Sequence, residues 1–193
     1  MEIELDCNIL IARALETAAR YHRGQNRKGD KNIPYIVHPV EVALNLQKSG
    51  APPEVIAAGL LHDTLEDTDM KQDHLEELFG GRILKLVLGA SEKLANRENT
   101  PWEERKEHTV RQARNVSREV KLIICADKLA NVCSMNRDYQ QIGDELWARF
   151  SRGYDEQKWY YESLVDSLGE LNDLKIYHEF RSAVEILFAT VSD

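Results

Sequence analysis

Apolar residues recur at helical intervals along almost the whole of this 193-residue chain. The N-terminal segment shows the pattern at Leu5, Ile9, Ala12, Leu15 and Ala19, which share one face of a helix with 3.6 residues per turn. No stretch keeps the strict alternation of apolar and polar residues that marks a half-buried strand. The spacing therefore predicts an all-α fold, a single helical bundle with about eight to ten helices.

Glycine, proline and polar clusters set the expected ends of these helices. The polar, glycine-containing segment 22–34 is predicted to be a loop. No linker or internal repeat interrupts the chain, so we expect one domain over residues 1–193, closed by an amphipathic helix within 166–193. The expected helices are about 5–22, 39–49, 53–63, a short acidic helix within 68–81, 82–94, 102–116, 118–137, 144–168 and 171–190.

The formal net charge of −8 argues against a general nucleic-acid surface, because like charges repel. The apolar runs are too short to span a membrane, and the first residues do not resemble a secretory signal, so we expect a cytoplasmic protein. The three cysteines match no disulfide or metal spacing and are expected to be small buried hydrophobes. The sequence leaves the oligomeric state open.

Residues 60–68, LLHDTLEDT, place acidic side chains directly after an apolar run. If this segment is helical, one imidazole and three carboxylates share less than half of its circumference: His62, Asp63, Glu66 and Asp67. Carboxylates this close repel one another unless a positive charge lies between them. Two explanations remain open, a solvated acidic face on which His62 caps a carbonyl, or a divalent metal held by His62 and Asp63.

Two further candidate ligands lie in apolar surroundings. His38 opens a helix in YIVHPVEVA, and Asp127 interrupts the apolar stripe of VKLIICADKLANV together with Asn131. An unpaired buried carboxylate is costly, so Asp127 requires either a cation or partners such as an arginine or a backbone amide. Nitrogen and oxygen ligands without thiolate favour Mn²⁺, Fe²⁺, Mg²⁺ or Zn²⁺. The remaining histidines are predicted to lie at the surface: His22, His74, His108 and His178.

The order His, His-Asp, Asp on a helical chain is the signature of the HD metal-dependent phosphohydrolase superfamily. The segments RKGDKNIPYIVHPVEVA, LLHDTLEDT, ERK at 104–106 and ADKLAN at 126–131 more closely resemble the hydrolase domain of Rel/Spo-type alarmone enzymes. In size the chain resembles the stand-alone small alarmone hydrolases of the Mesh type. The similarity covers about residues 8–165.

This resemblance implies Mn²⁺-dependent hydrolysis of the 3′-pyrophosphate of (p)ppGpp, giving GDP or GTP and pyrophosphate. It implies that His38, His62, Asp63 and Asp127 bind the metal, and that Glu66 and Asp67 position and activate the attacking water. The residues it implies for the purine nucleotide substrate are Arg27 and Lys28 at the base, Asn131 at the ribose or 3′ side, and Lys93, Arg105 and Lys106 at the phosphates. Arg23 adds a further positive charge to the loop at 22–34.

Two departures from the family pattern bear on the substrate. Gly29 follows the Arg-Lys pair, at a position where family members often carry serine. The family's usual VTK motif is replaced by ASEK at 90–93. One alternative is a phosphohydrolase for another nucleotide, such as an adenosine alarmone or the 2′-phosphate of NADPH. Another is a catalytically silent module that binds nucleotide, which predicts the loss of a ligand, and none is missing from this sequence. A plain helical scaffold would leave Asp127 and the acidic face unexplained.

Overall fold

The computed structural model describes residues 7–27, 30–92 and 99–189. Across these ranges it contains eight α-helices of at least nine residues, one four-residue helix, two 3-10 helices and a two-stranded hairpin, so the all-α prediction is confirmed. The elements are α1 (Cys7–Tyr21), β1 (Asn26–Arg27), β2 (Asp30–Pro34), α2 (Val37–Lys48), α3 (Pro53–Leu61), α4 (Thr64–Asp67), α5 (Gln72–Ala90), α6 (Trp102–Asn115), α7 (Arg118–Ile142), α8 (Tyr154–Ser167) and α9 (Lys175–Ala189), with 3-10 helices at Gly143–Arg149 and Gly169–Leu171.

The first of two compact units, Met1–Lys93, is built around α3. The seven residues from Val55 to Leu61 are all buried, and α1, α2 and α5 pack against this helix. A helix that is apolar on every side is stable only when neighbours surround it, which is the position that α3 occupies. The end of this central helix leads directly into the HD dipeptide.

The second unit, Leu94–Asp193, is built around α7, which is 25 residues long. Ser117 caps its first turn by accepting a hydrogen bond from the Val120 backbone N–H. Helix α9 packs along α7 and buries an apolar stripe that includes Phe180 and Leu187. The expected C-terminal amphipathic helix thus forms between Lys175 and Ala189.

Three local differences from the predicted elements have identifiable causes. The segment 22–34, predicted to be a loop, contains the β1–β2 hairpin, whose base is closed by a hydrogen bond from the Tyr35 N–H to the Gln25 carbonyl. Gly80 interrupts α5 with a φ of 80°, a conformation that glycine adopts without steric cost. The helix predicted over 144–168 is split, because Gly153 has an extended backbone immediately before α8.

No helix in the described ranges has both the length and the apolar content needed to cross a bilayer.

Candidate metal centre

The end of α3 determines how the HD dipeptide is presented. Two carbonyls of its last turn are bound by nearby side chains: Gly59 O accepts from His62 Nδ1 at 2.8 Å, and Leu61 O accepts from Thr64 Oγ1 at 2.7 Å. His62 and Asp63 form a turn between α3 and α4. The assumption of one continuous helix over 60–68 was therefore wrong, because α3 ends at Leu61 and α4 begins at Thr64.

The bond to Gly59 fixes the protonation pattern of the His62 ring. A carbonyl oxygen can only accept, so Nδ1 must carry the proton, and in the neutral ring Nε2 keeps its lone pair. This Nε2 lies 3.0 Å from Oδ2 of Asp63. His62 thus caps a carbonyl, as one sequence interpretation held, and also directs a ligand nitrogen towards a carboxylate. Metal-binding histidines are usually oriented in this way, through the second ring nitrogen.

His38 approaches the same carboxylate from the first turn of α2. Its Nε2 lies 3.7 Å from Asp63 Oδ2, and its ring centroid lies 5.3 Å from that of His62. Both imidazoles are almost completely buried, at 2% and 4% exposure. The first unit thus brings together two imidazole nitrogens and one carboxylate oxygen. This set contains no thiolate and fits a divalent cation such as Mn²⁺, Fe²⁺ or Zn²⁺.

The two carboxylates after the HD dipeptide lie on the short helix α4. Glu66 is half-buried, and its Oε1 accepts a hydrogen bond from the backbone N–H of Glu92. The Asp67 side chain is exposed, while its backbone carbonyl accepts from Nε2 of Gln25 at 2.6 Å. One oxygen of Glu66 and the backbone of Asp67 are therefore held in place by neighbouring segments of the same unit.

The basic residues predicted in the first unit are only partly described. Arg23 is exposed in the turn after α1. Arg27 is half-buried on β1 and lies opposite Asp30 of β2 in the backbone register of the two strands. Lys28 and Lys93 lie outside the described residues.

Asp127 lies in the middle of α7 in the second unit and is 9% exposed. Its Oδ1 accepts from Asn131 Nδ2 at 2.6 Å, and its Oδ2 lies 2.8 Å from Lys128 Nζ. Burial disfavours the charged form of Lys128, but the Asp127 carboxylate holds the pKa of this lysine well above its usual value. This carboxylate therefore contacts a lysine and an asparagine side chain, whereas the sequence predicted either a cation or partners such as an arginine or a backbone amide.

The predicted phosphate-facing residues of the second unit, Arg105 and Lys106, lie half-buried on α6. The Nζ of Lys106 lies 4.9 Å from the ring centroid of Tyr160 on α8, and Lys128 Nζ lies 6.0 Å from the same centroid. Cations at this distance from an aromatic ring are attracted by its negative face. The ammonium groups of Lys106 and Lys128 thus both lie near the Tyr160 ring.

Sequence reasoning did not identify three residues that the structure places beside the predicted ones: Tyr35, Lys128 and His22. The Tyr35 hydroxyl donates to Asp63 Oδ2. His22 was predicted to lie at the surface, and this was wrong, since it is 3% exposed. Ala14 and Ala18 are fully buried on α1, and His22 follows at the same four-residue spacing, which was the available signal.

Known proteins resemble this chain in sequence and in fold. A family model described as HD domain matches residues 14–153, which is more than half of the chain. The guanosine-3′,5′-bis(diphosphate) 3′-pyrophosphohydrolase MESH1 of Danio rerio is 40% identical over 122 residues, covering 62% of this chain and 66% of that protein. The Homo sapiens protein of the same name is 40% identical over 126 residues, covering 64% and 68%.

The chain thus spans about two thirds of the length of these vertebrate relatives. A solved structure of a metazoan ortholog of SpoT, described as hydrolysing ppGpp with a role in starvation responses, superposes with a TM-score of 0.72. The two sequences are 26% identical, and the superposition covers 94% of each chain.

The chain belongs to the HD-domain family. Membership implies a divalent metal ion, and the cluster of His38, His62 and Asp63 has the ligand chemistry to hold one. The resemblance to the Rel/Spo-type alarmone hydrolases is confirmed by the relatives of that name.

Proposed function

We propose that this protein is a metal-dependent phosphohydrolase that removes the 3′-pyrophosphate of the guanosine alarmones (p)ppGpp. The products are GDP or GTP and pyrophosphate. The observation that carries this proposal is the convergence of two buried imidazoles on the Asp63 carboxylate, in a chain whose relatives are named for this reaction.

The proposed metal is Mn²⁺, with His38, His62, Asp63 and Asp127 as its protein ligands. Support for the two histidines and Asp63 comes from their distances and from the proton held on Nδ1 of His62. Support for Asp127 comes from its burial within α7 and from the resemblance, which implies this residue as a metal ligand. In this assignment Lys128 and Asn131 orient the Asp127 carboxylate as metal ligands are commonly oriented.

A divalent ion held by His38, His62, Asp63 and Asp127 would make water a better nucleophile and would offset negative charge on the phosphoryl oxygens. Glu66 or Asp67 accepts the proton of the attacking water. The water oxygen then forms a bond to the 3′-linked phosphorus, while the bond from that phosphorus to the 3′ oxygen breaks. The 3′ oxygen leaves with the nucleoside diphosphate or triphosphate and takes up a proton, so that pyrophosphate is released.

The substrate carries many negative charges, and so does the protein, so binding requires local positive charge. We assign the purine to Arg27 on β1 and to Lys28, with Arg23 as a further positive charge. Asn131 is assigned to the ribose or 3′ side. The phosphates are assigned to Lys93, Arg105 and Lys106, and the position of Lys106 against Tyr160 is compatible with a fixed ammonium group.

We further propose that residues 1–193 act as one functional domain, because the family match runs through both compact units. A cytoplasmic location follows from the proposed soluble nucleotide substrate. Neither nucleic acid nor membrane is a proposed partner of this acidic protein.

The test compares substrates under identical conditions. Purified protein with Mn²⁺ is given ppGpp, its adenosine counterpart, and NADPH in separate reactions, and pyrophosphate, phosphate and nucleotide products are separated by ion-exchange chromatography. The proposal expects pyrophosphate and GDP from ppGpp at the highest kcat/KM. A preference for the adenosine compound, or for phosphate release from NADPH, would overturn the guanosine assignment. Substrate binding without any product would indicate the silent nucleotide-binding module.

A further inference from the structure

Tyr35 donates a hydrogen bond to the carboxylate at the centre of the candidate metal site. It lies in the turn between β2 and α2, three residues before His38, and its hydroxyl binds Oδ2 of Asp63. The same oxygen lies 3.0 Å from His62 Nε2 and 3.7 Å from His38 Nε2. An ionised carboxylate can only accept, so the tyrosine hydroxyl is the donor. This bond restricts rotation of the Asp63 side chain.

Tyr35 is itself held by the base of the hairpin. Its backbone N–H donates to the Gln25 carbonyl at 2.9 Å, and its ring centroid lies 4.7 Å from that of the buried His22. His22 Nδ1 lies 2.8 Å from Gln25 Oε1, while Gln25 Nε2 donates to the Asp67 carbonyl. His22, Gln25 and Tyr35 thus connect the start of the hairpin to both Asp63 and Asp67. We refer to these three residues as the hairpin anchor.

We propose that Tyr35 is a positioning residue for the metal ligand Asp63, and that His22 and Gln25 hold Tyr35 in place. This inference rests on the proposed function, in which Asp63 binds the metal. A carboxylate whose orientation is fixed before the ion arrives loses less conformational entropy on binding it. Partners that hydrogen-bond to metal ligands typically contribute about 10–100-fold in metal affinity. The anchor would also couple metal binding to the hairpin that bears Arg27.

The test removes one oxygen atom. Tyr35→Phe keeps the ring against His22 and deletes only the bond to Asp63. Tyr139→Phe is the matched control, because the Tyr139 hydroxyl also donates to a carboxylate, that of Asp144 at 3.1 Å, but within the second unit and on an exposed surface. Mn²⁺ binding to metal-stripped protein is measured by isothermal titration calorimetry, and the melting temperature in chelator shows whether each variant is folded.

We expect the Kd for Mn²⁺ to rise about 10–100-fold in Tyr35→Phe and to stay within about twofold of wild type in Tyr139→Phe. The stripped Tyr35→Phe protein should remain folded, and its kcat should recover at saturating Mn²⁺. An unchanged Kd in folded Tyr35→Phe would overturn the inference, as would a kcat loss that excess metal does not restore.

A second variant tests the rest of the anchor. His22→Phe keeps an aromatic ring against Tyr35 but loses the bond to Gln25, so a smaller weakening of Mn²⁺ binding is expected than for Tyr35→Phe. The double variant Tyr35→Phe,His22→Phe should bind Mn²⁺ with a Kd equal to or larger than that of Tyr35→Phe alone. A smaller Kd in the double variant would contradict the role of His22 in holding Tyr35. If wild type itself binds no divalent ion, the proposed function fails first. If wild type binds Mn²⁺ and Tyr35→Phe binds it equally well, only the inference fails.

Discussion

Gly59→Ala tests whether α2 and α3 pack closely enough to fix the two histidines. A Cβ atom added at Gly59 would lie 2.3 Å from Leu46 Cδ1 and 3.3 Å from Val42 Cγ1. Both neighbours are completely buried on α2, the helix that carries His38. Leu46 Cδ1 must therefore shift, and because this side chain is completely buried, room for the new methyl group requires displaced core atoms or a wider spacing of the two helices.

The expected free-energy change combines two opposing contributions. Adding a methyl group to a filled core costs about 1–3 kcal/mol, and a contact of 2.3 Å belongs in the upper half of that range. Alanine recovers about 1 kcal/mol because it favours a helix over glycine. We therefore expect Gly59→Ala to lower the free energy of unfolding by about 1–2 kcal/mol. Mn²⁺ affinity should also fall, because the Gly59 carbonyl holds the His62 ring.

The assay is urea denaturation in chelator, followed by calorimetric Mn²⁺ titration of the folded protein. Gly169→Ala is the matched control, because an added Cβ there meets no atom within 4 Å. That variant should stay within about 0.5 kcal/mol of wild type. If Gly59→Ala is as stable as wild type or more stable, the close α2–α3 contact and the resulting placement of His38 and His62 are refuted.

Three further predictions concern single side chains. Glu66→Gln keeps an oxygen that accepts from the Glu92 N–H but removes the carboxylate base. The kcat should therefore fall about 10²–10⁴-fold while the Kd for Mn²⁺ stays unchanged. A kcat near that of wild type would exclude Glu66 as the general base. Burial raises the pKa of the Cys125 thiol to about 12, so iodoacetamide at about pH 8 should label Cys125 only after unfolding, as read by peptide mass spectrometry. A hydrogen bond from the buried Lys121 lowers the pKa of Glu170 below 4.5, so this contact stabilises the fold above about that pH and is lost as the pH falls through the lowered pKa. Glu170→Gln should therefore be less stable than wild type near pH 7, with a difference that shrinks below pH 4.5 in urea titrations; a pH-independent difference would contradict this sign.

Helical periodicity was sufficient to predict the fold class because amphipathic helices such as α1 and α9 bury one apolar stripe and expose the opposite face. Their apolar residues therefore recur at helical spacing in the sequence. The β1–β2 hairpin left no comparable pattern, because two strands of two and five residues are too short to show alternation. The helix breaks at Gly80 and Gly153 depend on the backbone angles of these glycines. A polar sequence context allows such angles but does not require them, so the breaks could not be predicted.

That the candidate ligands of the first unit lie in buried surroundings could be expected from the sequence for a similar reason. A histidine followed by a carboxylate at the end of an apolar helix is costly unless charges compensate, and His38 shares that environment. The bond from Tyr35 to Asp63 could not be predicted, because it joins positions 28 residues apart through a turn whose geometry has no sequence signature. The contact of Lys128 with Asp127 was missed because adjacent residues on a helix are expected to diverge.

We propose that a divalent metal held at His38, His62 and Asp63 supports hydrolysis of ppGpp. This is tested by measuring pyrophosphate release from ppGpp by metal-stripped protein, before and after Mn²⁺ is added back, with Asp63→Ala measured beside wild type. We expect release by wild type only after Mn²⁺ is restored, and none above background from folded Asp63→Ala. Equal release in chelator, or full activity of Asp63→Ala with Mn²⁺, would contradict it.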